Sequence, residues 1–300
     1  MHVWGLDLGG TKIEGAIFDP ASPNTPVARL RLPTESAKGY DHVLGQIARV
    51  VAALEEQSGA ACPPQIGAGT PGAIEPSTGK IKNSNTRCLN GRPFRDDLGR
   101  LLGSRVHCAN DANCFALAEA TLGAAKGENV VVGLILGTGV GGGLVVGGRL
   151  IQGVHGIAGE WGHNPLCGEQ SPCYCGRKGC VETVIAGPSL ERFYHERSGN
   201  SLSLRQIAAR EGDPHAAATL ARLQQKFGEA VAALINILDP DAIVIGGGVG
   251  NLSLLYDEQT RGEILKHTFN AGLKTKILKP VLGDSAGVFG AAMLTHESAQ

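Results

Sequence analysis

An internal repeat constrains the fold of this chain more than any other feature. The segment GLDLGGTKIEGAI begins at residue 5, and GLILGTGVGGGLV begins at residue 133. Both contain the frame GLxLG, a Gly/Thr turn and a second strand-like run. Because the spacing between the two copies is the size of a domain, the pattern indicates a duplicated unit rather than a solenoid. Chance similarity between two glycine-rich hairpins is the alternative that the pattern alone leaves open.

Strand-like and helix-like segments alternate around both copies. Helical periodicity covers residues 40–58, 184–197 and 214–238, and further helices are predicted from NDANCFALAEATLG and SAGVFGAAMLTHE. Buried strands are predicted at VWGLDLG, PQIGAGT, RVHCAND and DAIVIGGG. Alternating strands and helices are typical of α/β layers with mostly parallel central strands.

Composition excludes several classes of function. Of 300 residues, 42% are hydrophobic and 18% are charged, which is typical of a globular protein. A formal net charge of −1 argues against a broad nucleic-acid or anionic-membrane surface. We expect no signal peptide, and we interpret the uncharged stretch 129–148 as a hairpin because it is rich in glycine. The expected location is the cytoplasm, where disulfides rarely persist.

The Gly/Thr turns of the repeat are candidates for phosphate binding without a P-loop. Asp7 precedes the first turn and could hold Mg²⁺, and Lys12 follows it and could neutralise phosphate charge. A turn-capping aspartate and a solvated lysine are the alternatives. The match of GTGVGG (137–142) to a dinucleotide motif is misleading, because a strand-like run follows it where a helix is required. GDSAG (283–287) resembles a nucleophile elbow, but no aspartate follows it in the order that a hydrolase triad needs.

Four cysteines cluster in HNPLCGEQSPCYCGRKGCVE, residues 163–182. One histidine and three thiolates in the spacing H-x9-C-x-C-x4-C favour a tetrahedral structural zinc site, formed by His163, Cys173, Cys175 and Cys180. A disulfide is the weaker alternative, given the expected compartment and the C-x-C spacing. A redox pair is also weaker, because the stretch contains no C-x-x-C motif. Cys167 lies close enough in sequence to replace His163.

The motifs DLGGTK, LGTG, NDAN, GEWGH, CxCGxxGCxE and IGGG together resemble the ROK family of sugar kinases and repressors. The resemblance covers essentially the whole chain and implies the actin/hexokinase-like (ribonuclease H-like) ATPase fold. Within the family, KNSN, GEWGHNPL and CYCGRKGCVET look most like the fructokinase/mannokinase branch. Family repressors carry an N-terminal helix-turn-helix. Because the first hairpin here begins at residue 3, we expect a kinase.

The resemblance implies two duplicated α/β domains flanking a cleft. We expect the first domain at 1–112, with the C-terminal helix 285–300 packed back on it, and the second at 113–284, with the zinc-binding loop 163–182. It further implies a homodimer, or a tetramer, that phosphorylates a hexose with ATP and Mg²⁺. The expected product is the 6-phosphate of fructose or mannose. N-acetylglucosamine or N-acetylmannosamine kinase and glucokinase are the alternatives, and a non-catalytic sugar sensor is less favoured.

Roles at the site follow from the same resemblance. Asp111 becomes the general base, although the local pattern alone leaves helix capping equally open. His163, rather than Cys167, completes the zinc site. The residues expected to bind the sugar are Gly72, Asn85, Asn110, Asp111, Glu160, His163 and Glu182. The residues expected to bind ATP and its metal are Asp7, Gly9, Gly10, Thr11, Lys12, Gly137, Thr138, Gly139, Gly247 and Gly248.

Overall fold

The computed structural model of the protein describes residues 2–22 and 25–295 and contains two five-stranded sheets. The strands are β1 (Val3–Leu8), β2 (Lys12–Phe18), β3 (Pro26–Pro33), β4 (Gln65–Thr70), β5 (Ala73–Ile74), β6 (Ile81–Lys82), β7 (Arg105–Asn110), β8 (Val130–Leu136), β9 (Val140–Val146), β10 (Arg149–Leu150), β11 (Ala242–Gly246) and β12 (Lys276–Leu278). The helices are α1 (Tyr40–Ser58), α2 (Phe94–Leu102), α3 (Asp111–Thr121), α4 (Glu182–Ile185), α5 (Gly187–Ser198), α6 (Leu204–Ala208), α7 (Pro214–Leu238), α8 (Gly247–Gly250), α9 (Glu258–Leu265) and α10 (Ala286–Met293).

The two sheets share one strand order, which is the arrangement that a duplicated unit predicts. The first sheet runs β3-β2-β1-β4-β7 and the second runs β10-β9-β8-β11-β12. In each, the first strand of the repeat pairs with its hairpin partner on one side and with a parallel strand on the other. The mixed sheets with parallel central strands confirm the predicted α/β class.

Register in the first sheet brings the candidate carboxylates to one edge. Asp7 of β1 lies beside Gly69 of β4, and Gly69 lies beside Ala109 of β7. These three strands are parallel, so the residues at their carboxyl ends meet at the same edge. Asp111 begins α3 directly after β7 and therefore lies at that edge too.

Helix α1 covers one face of the first sheet because its apolar residues repeat at helical spacing. Val43, Ile47, Val50 and Leu54 fall on one side of the helix and are buried in the core. Glycine brings the helix close to the sheet: a Cβ atom at Gly15 would lie 2.5 Å from Val50.

Helix α10 packs against β1, β4 and α3 at very short backbone separations. A Cβ atom added at Gly67 would lie 1.6 Å from the Ala291 carbonyl oxygen, and one at Gly5 would lie 2.3 Å from that of Val288. Helix α10 thus packs on the first sheet. Residues 296–300 of the helix expected at 285–300 lie outside the described part of the chain.

The chain divides into two compact units. Unit 1 comprises the described residues within 1–126, 143–158 and 281–300, and unit 2 comprises Gly127–Gly142 and Gly159–Pro280. Helix α3 belongs to unit 1, which therefore extends beyond the expected boundary at residue 112. The reason is packing, because Gly290 of α10 lies directly against the Cys114 carbonyl of α3. Every helix within 2–22 and 25–295 is too short or too polar to cross a bilayer.

Candidate active site

The first Gly/Thr turn in unit 1 is a tight hairpin that a more distant threonine fixes. Gly9 N–H donates to the Lys12 carbonyl at 2.9 Å and closes the turn. The fully buried Thr34 donates its hydroxyl to the Gly9 carbonyl at 2.7 Å and its N–H to the Thr11 carbonyl at 3.0 Å. Gly10 and Thr11 remain exposed at the tip, where backbone and hydroxyl groups can reach a phosphate. No local motif marks Thr34, and the sequence analysis missed it.

Two carboxylates with raised pKa values lie at the same edge of the first sheet. Burial, together with the charges of Asp111 and Glu14, raises the pKa of Asp7 to about 7, although the charges of Lys12 and Arg31 lower it. Desolvation also raises the pKa of Asp111, even though solvent can reach its side chain, and the Ala112 N–H partly opposes that effect. The negative charge of Asp111 thus destabilises ionised Asp7, and a divalent cation beside Asp7 would offset that effect.

The junction between β7 and α3 gives its two polar residues different tasks. Asn110 is the N-cap of α3, and its Oδ1 accepts the Asn113 N–H at 2.8 Å. Asp111 occupies the first helical position, where its Oδ1 accepts the Ala112 N–H at 2.9 Å. The cap therefore belongs to Asn110, which leaves the Asp111 carboxylate anchored by one oxygen and accessible to solvent. Asn110, which we expect to bind a sugar hydroxyl, uses its amide oxygen to cap the helix.

Two other expected sugar ligands lie on the connection between β4 and α2. Gly72 has φ of 83°, and a Cβ atom there would lie 2.5 Å from the Lys82 carbonyl, so no other residue fits this turn. Asn85 is exposed on a loop that Asn90 holds in shape. The Asn90 side chain accepts the Ser84 N–H at 2.9 Å and donates to the Ser84 carbonyl at 2.8 Å.

The second Gly/Thr turn lies in unit 2, and Glu182 supports it. Gly137 N–H donates to the Gly139 carbonyl at 2.9 Å, closing the turn between β8 and β9. The Oε2 of Glu182 accepts the Val140 N–H at 2.9 Å and leaves no room for a side chain at Gly139. Glu182, predicted to bind sugar, is in this structure hydrogen-bonded to the backbone of the second Gly/Thr turn.

A cavity of about 790 Å³ opens beside this second turn. Gly137, Thr138 and Gly248, three of the residues predicted to bind ATP, line it. The sequence analysis missed the rest of its wall, which is contributed by Gly187, Pro188, Glu191, Ser203, Leu204, Arg205, Ala208, Val249, Asn251 and Leu252. These residues come from three separate segments with no common motif, so no local signal identifies them.

Gly247 and Gly248 differ in their surroundings. A Cβ atom at Gly247 would lie 2.3 Å from the Leu136 carbonyl, and φ there is 85°, so this glycine is required by the fold itself. A Cβ atom at Gly248 would meet no atom within 4 Å and would point into open space. Gly248 lines the cavity, whereas Gly247 packs against the Leu136 backbone at the end of β8.

The predicted metal ligands converge in unit 2. One ligand atom each from His163, Cys173, Cys175 and Cys180 lies within 4.8 Å of the others. The Sγ atoms of Cys175 and Cys180 are 3.6 Å apart, which is too long for a disulfide and suits two thiolates on one ion. A hydrogen bond from the Arg177 N–H lowers the pKa of Cys175 to about 6, whereas burial raises that of Cys180 to about 12. Three thiolates packed this closely fit a cation, because only a cation stabilises all of them in the ionised state.

His163, not Cys167, completes this cluster in the described chain. The Nδ1 atom of His163 is 3.6 Å from the Cys173 Sγ, so Nε2 faces away from the cluster. Nε2 is 3.1 Å from the Tyr174 hydroxyl and 4.0 Å from the Glu160 carboxylate. Cys167 is exposed and lies outside the cluster.

Ion pairs and close packing hold the loop 163–182, which carries the predicted metal ligands, against the rest of unit 2. Glu169 accepts from Arg222 of α7 at 2.7 Å and lies 3.4 Å from Lys226. Trp161 is buried and donates its indole N–H to the Gly141 carbonyl at 3.0 Å, which fixes Glu160 and His163 beside β9. The sequence analysis did not foresee these long-range partners.

Comparison with known proteins extends over nearly the full length of the chain. A sequence profile of the ROK family matches residues 3–298. The N-acetyl-D-glucosamine kinase of Vibrio atlanticus is 37% identical, with 97% of this chain and 98% of that protein covered. The N-acetylgalactosamine kinase of Shewanella sp. (strain ANA-3) is 36% identical, with 98% and 96% covered.

A solved structure gives the same result for the fold. The ROK hexokinase from Thermus thermophilus superposes with a TM-score of 0.85 at 33% identity, covering 98% of this chain and 97% of that one. The expected actin/hexokinase-like fold is thereby confirmed. The chain belongs to the ROK family.

Proposed function

We propose that this ROK-family sugar kinase transfers the γ-phosphate of ATP to an N-acetylated hexosamine. Its two relatives described above are kinases of N-acetylglucosamine and N-acetylgalactosamine. They support the alternative substrate class of the sequence analysis, and they do not support fructose or mannose. The motifs that suggested fructose consist of groups that bind sugar hydroxyls, which all hexoses share, so they carry little information about an acetamido substituent.

The placement of Asp111 is the observation that favours a kinase over a non-catalytic sugar sensor. A hydroxyl that attacks a phosphoryl group must lose a proton, and a carboxylate with a raised pKa is suited to accept it. Asp111 is anchored through one oxygen and reachable by solvent, and the capping role falls to Asn110 instead. A protein that only senses sugar has no use for such a base.

The cavity in unit 2 supports a nucleotide site. Its wall combines the Gly137–Thr138 turn, which suits phosphate oxygens, with the apolar side chains of Leu204, Val249 and Leu252. We propose that the adenosine of ATP lies against Gly248, where no side chain intrudes. Lys12 and the Gly9–Thr11 turn of unit 1 are retained as phosphate-binding groups in accordance with the family resemblance.

The donor sets fit two metals with different tasks. Asp7 would hold Mg²⁺, which neutralises phosphate charge when bound. His163, Cys173, Cys175 and Cys180 would hold Zn²⁺ as a structural ion that fixes the loop carrying Glu160 and His163. We place Glu160, His163 and Glu182 at the sugar in accordance with the family resemblance, together with Gly72, Asn85 and Asn110.

A coupled ADP-release assay across a sugar panel tests the proposal. The panel contains N-acetylglucosamine, N-acetylgalactosamine, N-acetylmannosamine, glucose, fructose and mannose, each with Mg²⁺ and ATP. We expect the highest kcat/KM with an N-acetylated hexosamine. A preference for fructose or mannose would contradict the substrate assignment. Sugar binding without ADP release from any member would indicate a sensor.

A further inference from the structure

A second cavity lies in unit 1. It has a volume of about 570 Å³ and lies between α2 and β7, the edge strand of the first sheet. Arg95 from α2, Arg105 and His107 from β7, and Gln152 contribute polar side chains to it. None of the residues assigned above to the sugar, nucleotide or metal sites lines this cavity.

The wall of this cavity carries an excess of positive charge. Among residues 2–22 and 25–295, Asp96 is the one acidic residue that lines it, and its carboxylate is 3.1 Å from the Arg95 guanidinium. That pair is half exposed and therefore holds Arg95 only weakly. Within residues 2–22 and 25–295, no carboxylate forms an ion pair with Arg105. One arginine is thus loosely paired and the other is available to an external anion.

Arg95 and Arg105 line the same cavity as His107. Burial lowers the pKa of His107, and the charges of Arg105 and Arg95 lower it further, which means that both guanidinium groups lie near that imidazole. His107 is also 2.9 Å from the Gln65 side chain, so the ring is held in place. The cavity therefore offers two guanidinium groups and a positive electrostatic potential. The pKa of His107, whose ring is held in place, responds to that potential.

We propose that this cavity binds a phosphate monoester, with Arg95 and Arg105 contacting the phosphoryl oxygens. A guanidinium group offers paired N–H donors that match two oxygens of one phosphoryl group. The volume lies within the usual range of small-molecule sites and exceeds the space that inorganic phosphate alone needs. The ligand chemistry fitted by the cavity is that of a phosphorylated sugar, and this site does not depend on the substrate assignment made above.

The His107 imidazole provides a site-specific measurement. Its NMR signals are assigned by their loss in His107→Gln, and its pKa is followed at constant ionic strength with added inorganic phosphate or glucosamine 6-phosphate. A bound dianion favours the protonated imidazole, so the pKa of His107 is expected to rise on saturation. Arg105→Gln and Arg95→Gln should each weaken the apparent affinity about tenfold or more. Arg100→Gln, on α2 but outside the cavity, should leave the affinity unchanged.

The two probes distinguish the source of the ligand. A response to glucosamine 6-phosphate at concentrations where inorganic phosphate has no effect supports a sugar-phosphate site. Equal responses support a site that recognises the phosphoryl group alone. The proposal is overturned if neither probe shifts the His107 signals, or if the shift persists at the same affinity in Arg105→Gln.

Discussion

Single residues at the site divide into those that shape the backbone and those that face a ligand. At the junction of β7 and α3, Asn110 caps the helix and Asp111 faces outward, although the two are neighbours in sequence. The same division separates Gly247, which the fold requires, from Gly248, which lines a cavity. Substitutions can therefore test each task separately.

Replacing Asp111 with asparagine should remove the general base without removing the side chain. We expect kcat to fall by about 10²–10⁴-fold, while the affinity for sugar stays near that of the wild type. The measurement combines the ADP-release rate with sugar binding by calorimetry. Asn113→Ala is the control for the first turn of α3, because Asn113 contributes a backbone N–H to the cap and no expected ligand. A wild-type kcat in Asp111→Asn would show that the base lies elsewhere.

The neighbouring glycines Gly247 and Gly248 form a matched pair for a second prediction. Alanine at Gly247 should destabilise the protein by about 1–3 kcal/mol, because φ there is 85° and the new Cβ atom meets the Leu136 carbonyl. Alanine at Gly248 should leave the free energy of unfolding unchanged and raise KM for ATP. Urea unfolding and steady-state kinetics on both variants provide the measurement. The same stability loss in both, with unchanged KM, would contradict this assignment.

Among the elements, α10 is held by a carboxylate that the sequence did not reveal. Glu119 of α3 is fully buried and accepts the N–H groups of Ala124, Val281 and Leu282 at 2.8–3.3 Å. The segment containing Val281 and Leu282 leads into α10, whose residue Gly287 lies directly against the Asp7 carboxylate. Glu119 thus helps to place the helix that packs beside the proposed magnesium ligand.

Changing Glu119 to glutamine should weaken this attachment. An amide places N–H donors where backbone N–H groups already point, so we expect a loss of about 1–3 kcal/mol in the free energy of unfolding. Urea denaturation gives the value. Glu128→Gln is the control, since Glu128 forms a more exposed pair with Lys276 that should contribute about 0–1 kcal/mol. If the two variants lost equal stability, Glu119 would not have this role.

The zinc loop is the element whose metal content can be changed selectively. Stripping zinc with a chelator should weaken sugar binding more than ATP binding, because the loop carries Glu160 and His163 while other segments line the cavity. Calorimetry with each ligand before and after chelation tests this. Cys175→Ser should lose zinc, whereas Cys167→Ser should retain it, as Cys167 lies outside the cluster. Equal loss of both affinities would indicate general unfolding.

At the scale of the whole molecule, we expect a homodimer, as the family resemblance implies, acting in the cytoplasm. Each chain has a mass of 31.0 kDa, so sedimentation equilibrium at micromolar concentration should report twice that value. Sugar and ATP are varied in the same experiment to detect a tetramer. A mass of one chain under all these conditions would contradict the expectation.

The sequence by itself determined those features that short segments encode. The repeated Gly/Thr turns and the alternation of strands and helices predicted the duplicated α/β fold, because turn and strand preferences act over a few residues. The spacing of the histidine and three cysteines predicted a cluster that the structure brings within 4.8 Å. The motifs as a set predicted the family, yet they did not predict the preferred sugar.

Only the tertiary structure decided which distant residues support these turns and helices and line the cavities beside them. Thr34 at the first turn, Glu119 at α10 and the wall of the nucleotide cavity all come from residues distant in sequence from the groups they serve. The extension of unit 1 beyond residue 112 has the same origin, since α3 packs on a helix from the far end of the chain. Such contacts leave no periodic or local pattern, because they depend on where the folded backbone returns and not on what adjacent residues prefer.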